Sequence, residues 1–364
     1  MSTPIPIVDS HIHLFPKSHL PSFAWYAPDS PLGSQHSIDE YRLATTSTPT
    51  DPFTANPTYL RGFIFLETDR ITSVSETETG WSHALDEVSF LTRIITGAPV
   101  LGEGHRDVDR DLCLGFVPWA PLPGGPGALQ KYMGLVRERV QTADVWKKVR
   151  GVRYLFQDKP SGTMLREEVV EGLKWLGREK LAFDLGVDAR QGGIWQLREA
   201  VEMMRRAYEG VQEEDEKVVI VINHLCKPNL RLPDASPAAI TAHPDFLEWS
   251  ALVTAMAQYP GTYMKLSGGF SEVPPLSEAA EPDLSLIVER VRPWTDVVFD
   301  AFGADRVMFG SDWPVCNVGG GGNEVSWTRW KSVVEATLEQ RLLSDEQKRG
   351  VWGQVAVKAY GVEI

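Results

Sequence analysis

The sequence predicts a single α/β domain over residues 1–364, folded as a (β/α)8 TIM barrel with a long loop insertion after strand 1 and a C-terminal helix. Short apolar runs alternate with longer segments of helical periodicity, which is typical of βαβ units and a parallel sheet. Eight such runs occur, the number that closes a barrel. The length of 364 residues suits one barrel with insertions, and the 43% of hydrophobic residues supply a sizeable core.

The predicted strands are short apolar runs, as expected for parallel strands buried on both faces. The segment Val218-Val219-Ile220-Val221-Ile222 is the clearest example. The eight predicted strands cover residues 8–11, 63–66, 112–117, 151–156, 181–187, 218–223, 262–266 and 306–309.

Between the strands, apolar residues recur at i, i+3 and i+4, which predicts helices that cover the barrel. These helices span residues 81–96, 127–140, 164–177, 195–208 and 245–257, and another is expected after strand 7. Beyond strand 8, residues 324–343 are predicted to form the last barrel helix and residues 344–360 the C-terminal helix.

The main irregularity is a Pro-, Ser- and Thr-rich stretch over residues 15–57, between strands 1 and 2. Active-site loops of barrel enzymes follow the strands in this way, so we predict that the stretch is a lid or a wall of the pocket. A surface insertion without a role in the site is the alternative.

Composition and charge exclude several classes of function. A formal net charge of −13 disfavours binding to nucleic acid or to an anionic membrane surface. The sequence shows neither a signal-peptide pattern nor an apolar run of transmembrane length, so a soluble, cytoplasmic protein is expected. Cys113, Cys226 and Cys316 are odd in number and widely spaced, which predicts no disulfide framework and fits a reducing compartment.

Three predicted strands end in residues that can carry chemistry. His11 and His13 close strand 1, where alternation places both imidazoles on one side; His224 ends strand 6 and Asp312 follows strand 8. The carboxyl ends of barrel strands meet at the catalytic face. Taken singly, each residue could be structural, but the joint pattern indicates a site. An imidazole pair suits a divalent metal ion or hydrogen-bond donation to a carbonyl oxygen.

Six motifs at these strand ends and nearby resemble the amidohydrolase-2 group of the amidohydrolase superfamily, and within it the lactonase-type branch. The resemblance spans nearly the whole chain. The motifs are DSHIHL at 9–14, GFVPW at 115–119, GVRY at 151–154, NHLCKP at 223–228, KLSG at 265–268 and GSDWP at 310–314.

The resemblance implies hydrolysis of a sugar-acid (aldono) lactone. Asp312 would act as general base on water, while His11, His13 and His224 would polarise the ester carbonyl directly or through a metal ion. These four residues are the implied ligands of one divalent ion, with zinc favoured by ligand type, and metal-free catalysis stays open. The sequence contains no G-x-S-x-G elbow, which argues against a serine nucleophile.

Two departures from the superfamily pattern argue against a binuclear metal site. Lys147 and Lys148 precede strand 4, where two-metal members carry a bridging lysine within the strand, and residues 183–188 of strand 5 contain no histidine. Asn223 and Cys226 stand where the branch usually has Asp and Gly. Cys226 is interpreted as a small buried side chain and not as a nucleophile.

Six further residues are candidates for substrate binding, and each has a structural alternative. They are Arg153, Lys265, Ser267, Trp25, Trp313 and Glu67. A cationic side chain could contact a substrate oxygen or form a buried ion pair, and a tryptophan could stack on a sugar ring or pack in the core. The expected partner is a small-molecule lactone, and the oligomeric state, including a homodimer, is left open.

Two other functions compete with the lactonase hypothesis. A metal-dependent decarboxylase of aromatic acids, from a sister branch, would release carbon dioxide from 2,6-dihydroxybenzoate. A non-catalytic sugar-acid binding protein on a degenerate barrel would turn over no lactone. The KP sequence after His224 and the KLSG motif favour the lactonase.

Overall fold

The computed structural model describes residues 4–46, 58–74, 78–232, 236–276 and 282–364, and it confirms the eight predicted strands. Consecutive strands pair in parallel, in one run from β1 to β3 and a second from β4 to β8. The strands are β1 (Ile5–Ile12), β2 (Thr58–Leu66), β3 (Cys113–Val117), β4 (Gly151–Leu155), β5 (Ala182–Gly186), β6 (Ile220–Ile222), β7 (Thr262–Leu266) and β8 (Val307–Phe309).

Hydrogen bonds at both seams join these two runs into a barrel. Between β3 and β4, the Phe116 N–H donates to the Lys148 carbonyl at 2.7 Å. Between β8 and β1, the Asp312 N–H donates to the His11 carbonyl at 2.8 Å. The second seam therefore brings two predicted site residues together through their backbones.

The helices predicted between the strands are present, with ends shifted by a few residues. The α-helices are α1 (Ile38–Thr46), α2 (Glu78–Thr96), α3 (Gly125–Val140), α4 (Ala143–Trp146), α5 (Glu167–Arg178), α6 (Trp195–Tyr208), α7 (Pro237–Ala242), α8 (Pro244–Ala257), α9 (Gly269–Glu272), α10 (Leu284–Phe302), α11 (Asn317–Gly320), α12 (Ser326–Gln340), α13 (Asp345–Arg349) and α14 (Val355–Tyr360). Short 3-10 helices lie at Lys17–Ser22, Asp107–Asp109, Leu122–Gly124, Glu214–Glu216 and His224–Cys226. Among the described helices, none combines the length and the apolar character that crossing a membrane requires.

The predicted C-terminal helix over residues 344–360 is not continuous. A π-helical turn, Gly350–Gln354, separates α13 from α14. At Gly353 this turn lies against β1, where a Cβ atom would come within 2.9 Å of the Pro6 carbonyl oxygen. Glycine is required by this close approach, and the helical periodicity of the sequence does not reveal it.

Alternation along the strands divides the buried side chains between two clusters. On β2, Phe63 and Phe65 belong to the larger cluster with the covering helices, whereas Ile64 and Leu66 belong to a second cluster. The second cluster also contains Tyr360 and other side chains of α14. The C-terminal helix therefore packs against the inward-facing side chains of the strands.

The predicted loop over residues 15–57 contains regular structure. It holds the 3-10 helix Lys17–Ser22 and the helix α1, whose buried side chains include Ile38 and Tyr41. Residues 47–57 lie outside the described residues. Polar composition concealed α1, because only its core-facing side is apolar.

Candidate active site

Three imidazoles converge on one carboxylate oxygen at the carboxyl ends of the strands. The Nε2 atoms of His11, His13 and His224 lie 3.5, 3.6 and 3.7 Å from Asp312 Oδ1. His13, His224 and Asp312 line a cavity of about 380 Å³, and His11 lies behind them with no exposed surface. The four residues that were predicted from the sequence to form the site therefore lie close together in the structure.

His224 and Asp312, which lie in the loops after β6 and β8, have left-handed backbone conformations. His224 has φ of 52° and begins a run of four non-glycine residues with positive φ, while Asp312 has φ of 61°. Such conformations cost free energy for side chains with a Cβ atom and cluster at functional sites. The turn after β6 and the turn after β8 hold their side chains at the cavity at the expense of backbone strain.

Asp9 positions the turn that carries Asp312, a role that sequence reasoning did not assign to it. Its Oδ1 accepts a hydrogen bond from the Ser311 N–H at 2.8 Å, and its Oδ2 accepts from Tyr41 Oη at 2.9 Å and Trp327 Nε1 at 2.8 Å. Asp9 lies in the DSHIHL motif, two residues before His11, and this position was the sequence signal that could have indicated a role in the site. Burial raises the pKa of its carboxyl group, and these three donors act against that shift.

Burial sets the protonation of the central residues. It lowers the pKa of His224 to about 3 and that of His11 well below its usual range, so both imidazoles are neutral near pH 7. For Asp312, burial acts to raise the pKa, but electrostatic interactions with His224, His13 and Lys227 outweigh burial and lower the pKa. The result is an ionised carboxylate beside the neutral imidazoles of His11 and His224.

The donor set fits a single metal ion. Ligand atoms of His11, His13 and Asp312 all lie within 4.8 Å of one another. His13 Nδ1 is 2.9 Å from the Leu66 carbonyl oxygen and must donate to it, which leaves a lone pair on Nε2 facing Asp312. A lone pair facing a carboxylate is unfavourable unless a cation or a proton lies between them. His224 contacts the same carboxylate but lies outside this three-residue group.

Of the six predicted substrate-binding residues, Arg153 and Trp25 line the cavity. Arg153 also forms the buried ion pair that the sequence left open as an alternative, with Nε 2.6 Å from Glu67 Oε1. Its Nη1 lies 3.4 Å from His11 Nε2. Glu67 therefore neutralises a guanidinium next to the imidazoles and does not itself line this cavity.

Lys265 and Ser267 lie behind the histidines, outside the lining of the cavity. Lys265 is fully buried, with Nζ 3.0 Å from Asp184 Oδ2 and 3.1 Å from His11 Nδ1. The salt bridge that was the alternative for Lys265 is observed, and its partner Asp184 lies on β5, with β6 between the two strands. Ser267 Oγ lies 2.8 Å from His224 Nδ1 and orients that ring.

Trp313 packs in the core and does not reach the cavity. Its side chain is fully buried, its Nε1 donates to Asn323 Oδ1 at 2.8 Å, and its ring meets that of Tyr41 edge to face. Stacking on a substrate ring is therefore not available to it. Its neighbour Pro314 lines the cavity instead.

The remaining sequence predictions concern lysines and a thiol. Lys147 bonds to Asp144 on the surface and Lys148 to the Cys113 carbonyl, so neither lies at the cavity. Cys226 is fully buried against Met256, and burial raises the pKa of its thiol, as expected for a packing residue.

Asp69, Gln157 and Lys227 line the cavity, and sequence analysis assigned none of these three a role in it. Lys227 Nζ donates to Gln157 Oε1 at 3.0 Å. All three follow strand ends, as Glu67 and His224 do, but a lone polar residue in a loop resembles an ordinary turn residue. Their position just after a predicted strand was the sequence signal that could have identified them as cavity residues.

Comparisons with known proteins identify the family of this chain. The sequence matches the model of a family described as amidohydrolase over residues 138–362. An L-rhamnono-gamma-lactonase from Scheffersomyces stipitis is 32% identical over 98% of this chain and 98% of its own length. An L-fucono-1,5-lactonase from Burkholderia multivorans is 28% identical over 59% of this chain and 64% of that protein.

Solved structures show the same fold. A crystal structure of an amidohydrolase from Burkholderia multivorans aligns with a TM-score of 0.67 at 22% identity, over 98% of this chain and 99% of that chain. A second crystal form of the same target, with zinc bound, aligns with a TM-score of 0.62 and the same coverage.

Proposed function

Because this chain belongs to the amidohydrolase family, we propose that it is a lactonase that hydrolyses a sugar-acid lactone to the open-chain acid. L-rhamnono-γ-lactone is the first substrate to test, since a relative with that activity in its name matches over nearly the full length. The observation that carries the proposal is the group of three imidazoles around Asp312 at the cavity.

In the proposed mechanism, Asp312 is the general base. Its lowered pKa keeps it ionised, so it can take a proton from a water molecule that attacks the lactone carbonyl. The bond between the carbonyl carbon and the ring oxygen then breaks, and the proton held by Asp312 passes to the departing ring oxygen. The net change is the addition of one water molecule, and no covalent enzyme intermediate is needed.

We propose that His11, His13 and Asp312 hold one zinc ion, with His224 next to it. When bound, zinc supplies Lewis-acid polarisation of the ester carbonyl. In the metal-free alternative, imidazole N–H groups donate hydrogen bonds to that oxygen, with the exception of His13, whose Nδ1 N–H is already donated to the Leu66 carbonyl. Arg153 stabilises negative charge beside His11, and the ring of Trp25 provides an apolar surface for the sugar carbons.

A hydrolysis screen of aldono-γ-lactones and δ-lactones with a pH indicator tests this function. We expect catalysed acid release from L-rhamnono-γ-lactone after subtraction of spontaneous hydrolysis, and exhaustive chelation decides between the zinc-dependent and the metal-free mechanism. Carbon dioxide release from 2,6-dihydroxybenzoate without any lactone hydrolysis would instead identify a decarboxylase. Absence of turnover on every lactone would contradict the proposal.

A further inference from the structure

Asp69 brings a second carboxylate to the cavity, three residues after β2. It lines the same cavity as Asp312, Arg153 and Lys227. Its backbone N–H donates to Glu67 Oε2 at 2.6 Å, and its φ of 54° is left-handed. Among the described residues, none forms a hydrogen bond or an ion pair with the Asp69 carboxylate. The mechanism proposed above leaves this carboxylate without a role.

Trp25 is held beside Asp69 by a short antiparallel ribbon. The Ala24 N–H donates to the Asp69 carbonyl at 3.1 Å, and Phe23 pairs with Arg70 in an antiparallel bridge. Trp25 Nε1 donates to the Thr68 carbonyl at 2.9 Å. We call residues 22–25 and 68–71 the ribbon wall. Its residues Trp25 and Asp69 both line the cavity.

Buried contacts hold the ribbon wall in place. Arg70 donates from Nε to Glu87 Oε1 at 2.9 Å, from Nη1 to Ser22 Oγ at 2.8 Å and from Nη2 to His19 Nδ1 at 2.9 Å. Its guanidinium also lies over the Phe23 ring, 4.9 Å from the centroid. A site anchored in this way is preorganised, so its geometry does not need to form when a ligand arrives.

The chemistry of the ribbon wall matches a polyhydroxylated ligand. Sugar carbons place C–H groups that pack on an aromatic face, while their hydroxyl groups are donors for a carboxylate. Burial and the neighbouring charge of Glu67 raise the pKa of Asp69 to about 6. The ionised carboxylate is thus incompletely stabilised in the free protein, and hydroxyl donors from a ligand would compensate for this.

We propose that Asp69 accepts hydrogen bonds from the hydroxyl groups of the substrate and thereby selects polyhydroxylated lactones over unsubstituted ones. This inference rests on the proposed lactonase function and adds a specificity determinant to it. A site that bonds a substrate hydroxyl discriminates strongly against the analogue that lacks it, because its own polar group is then left without a partner.

The test combines a residue change with a substrate change. Asp69→Gly removes the carboxylate and suits the left-handed backbone, and Asp69→Asn keeps one acceptor oxygen in a residue that also tolerates it. For L-rhamnono-γ-lactone, kcat/KM should fall about 10- to 100-fold in Asp69→Gly and less in Asp69→Asn. For γ-butyrolactone, which has no hydroxyl group, kcat/KM should stay within about threefold.

Asp158→Gly is the matched control, because Asp158 is a neighbouring carboxylate that pairs with Lys159 and does not line the cavity. It should leave the ratio of the two kcat/KM values unchanged. Equal losses on both lactones in Asp69→Gly would overturn the inference and leave the lactonase function intact.

Calorimetric binding of L-rhamnonate provides a second readout that does not depend on turnover. We expect Asp69→Gly to bind it at least 10-fold more weakly than the wild type, and equal affinity would also overturn the inference. A wild-type protein that hydrolyses no lactone would instead refute the proposed function.

Discussion

Replacing Asp312 by asparagine tests the central assignment of the site. The amide side chain has nearly the same size and shape as the carboxylate but cannot accept a proton from water. The Asp312 side chain lies 3.5 to 3.7 Å from three imidazole nitrogens, and the residue is 3% exposed. Among the described residues that line the cavity, Asp69 is the other carboxylate.

Loss of a positioned general base typically lowers the rate by about 10²- to 10⁴-fold. The imidazoles and Arg153 stay in place and continue to polarise the carbonyl, so we expect kcat to fall about 1000-fold, equivalent to about 4 kcal/mol in the barrier. Because the folded protein keeps the pKa of Asp312 below its usual value, it favours the ionised form. The neutral amide should therefore lower the free energy of unfolding, without loss of the fold.

The assay is acid release from L-rhamnono-γ-lactone at saturating substrate, corrected for spontaneous hydrolysis, together with thermal unfolding of each variant. Asp305→Asn is the matched control, since Asp305 is an exposed carboxylate just before the opposite end of β8. It should retain wild-type kcat. A folded Asp312→Asn variant that keeps a tenth of the wild-type kcat would refute the assignment of Asp312 as the base.

Three further predictions follow from the geometry. Elemental analysis of protein purified without chelator should find at most about one ion per chain, lost in His11→Ala and His13→Ala and retained in Cys226→Ser; two tightly bound ions would contradict the single site. Glu67→Leu should lower the free energy of unfolding by about 3–5 kcal/mol in denaturant titrations, because the buried Arg153 loses its counter-charge, and adding Arg153→Met should recover most of that loss. Cys226 has φ of 61°, so Cys226→Gly should unfold at a temperature no lower than Cys226→Ala, and a clearly lower value would argue against strain in this turn.

Local pattern was sufficient for the barrel and for the central residues. Each strand is a run of apolar residues, and each of the four central residues stands at the end of such a run. Together, the apolar runs and the polar residues that end them place His11, His13, His224 and Asp312 at one face of the barrel. Parallel strands in a closed barrel have their carboxyl ends at the same face, and this rule converts positions in sequence into proximity.

Only the tertiary structure decided which of the other polar residues reach the cavity. Alternation along β7 predicts that Lys265 faces the barrel interior, but it does not predict which group the side chain will contact there. The ammonium group of Lys265 forms a salt bridge with Asp184, 81 residues away in sequence, and is therefore not available to a substrate. Asp69 lies at the cavity because residues 68–71 pair with residues 22–25 of the insertion after β1. Local periodicity in the sequence does not encode such a contact between distant segments. Sequence periodicity determines which face of a strand each side chain occupies. Hydrogen bonds and ion pairs between residues distant in sequence determine which polar side chains remain available to a ligand, because packing across the whole barrel decides which of these side chains come into contact.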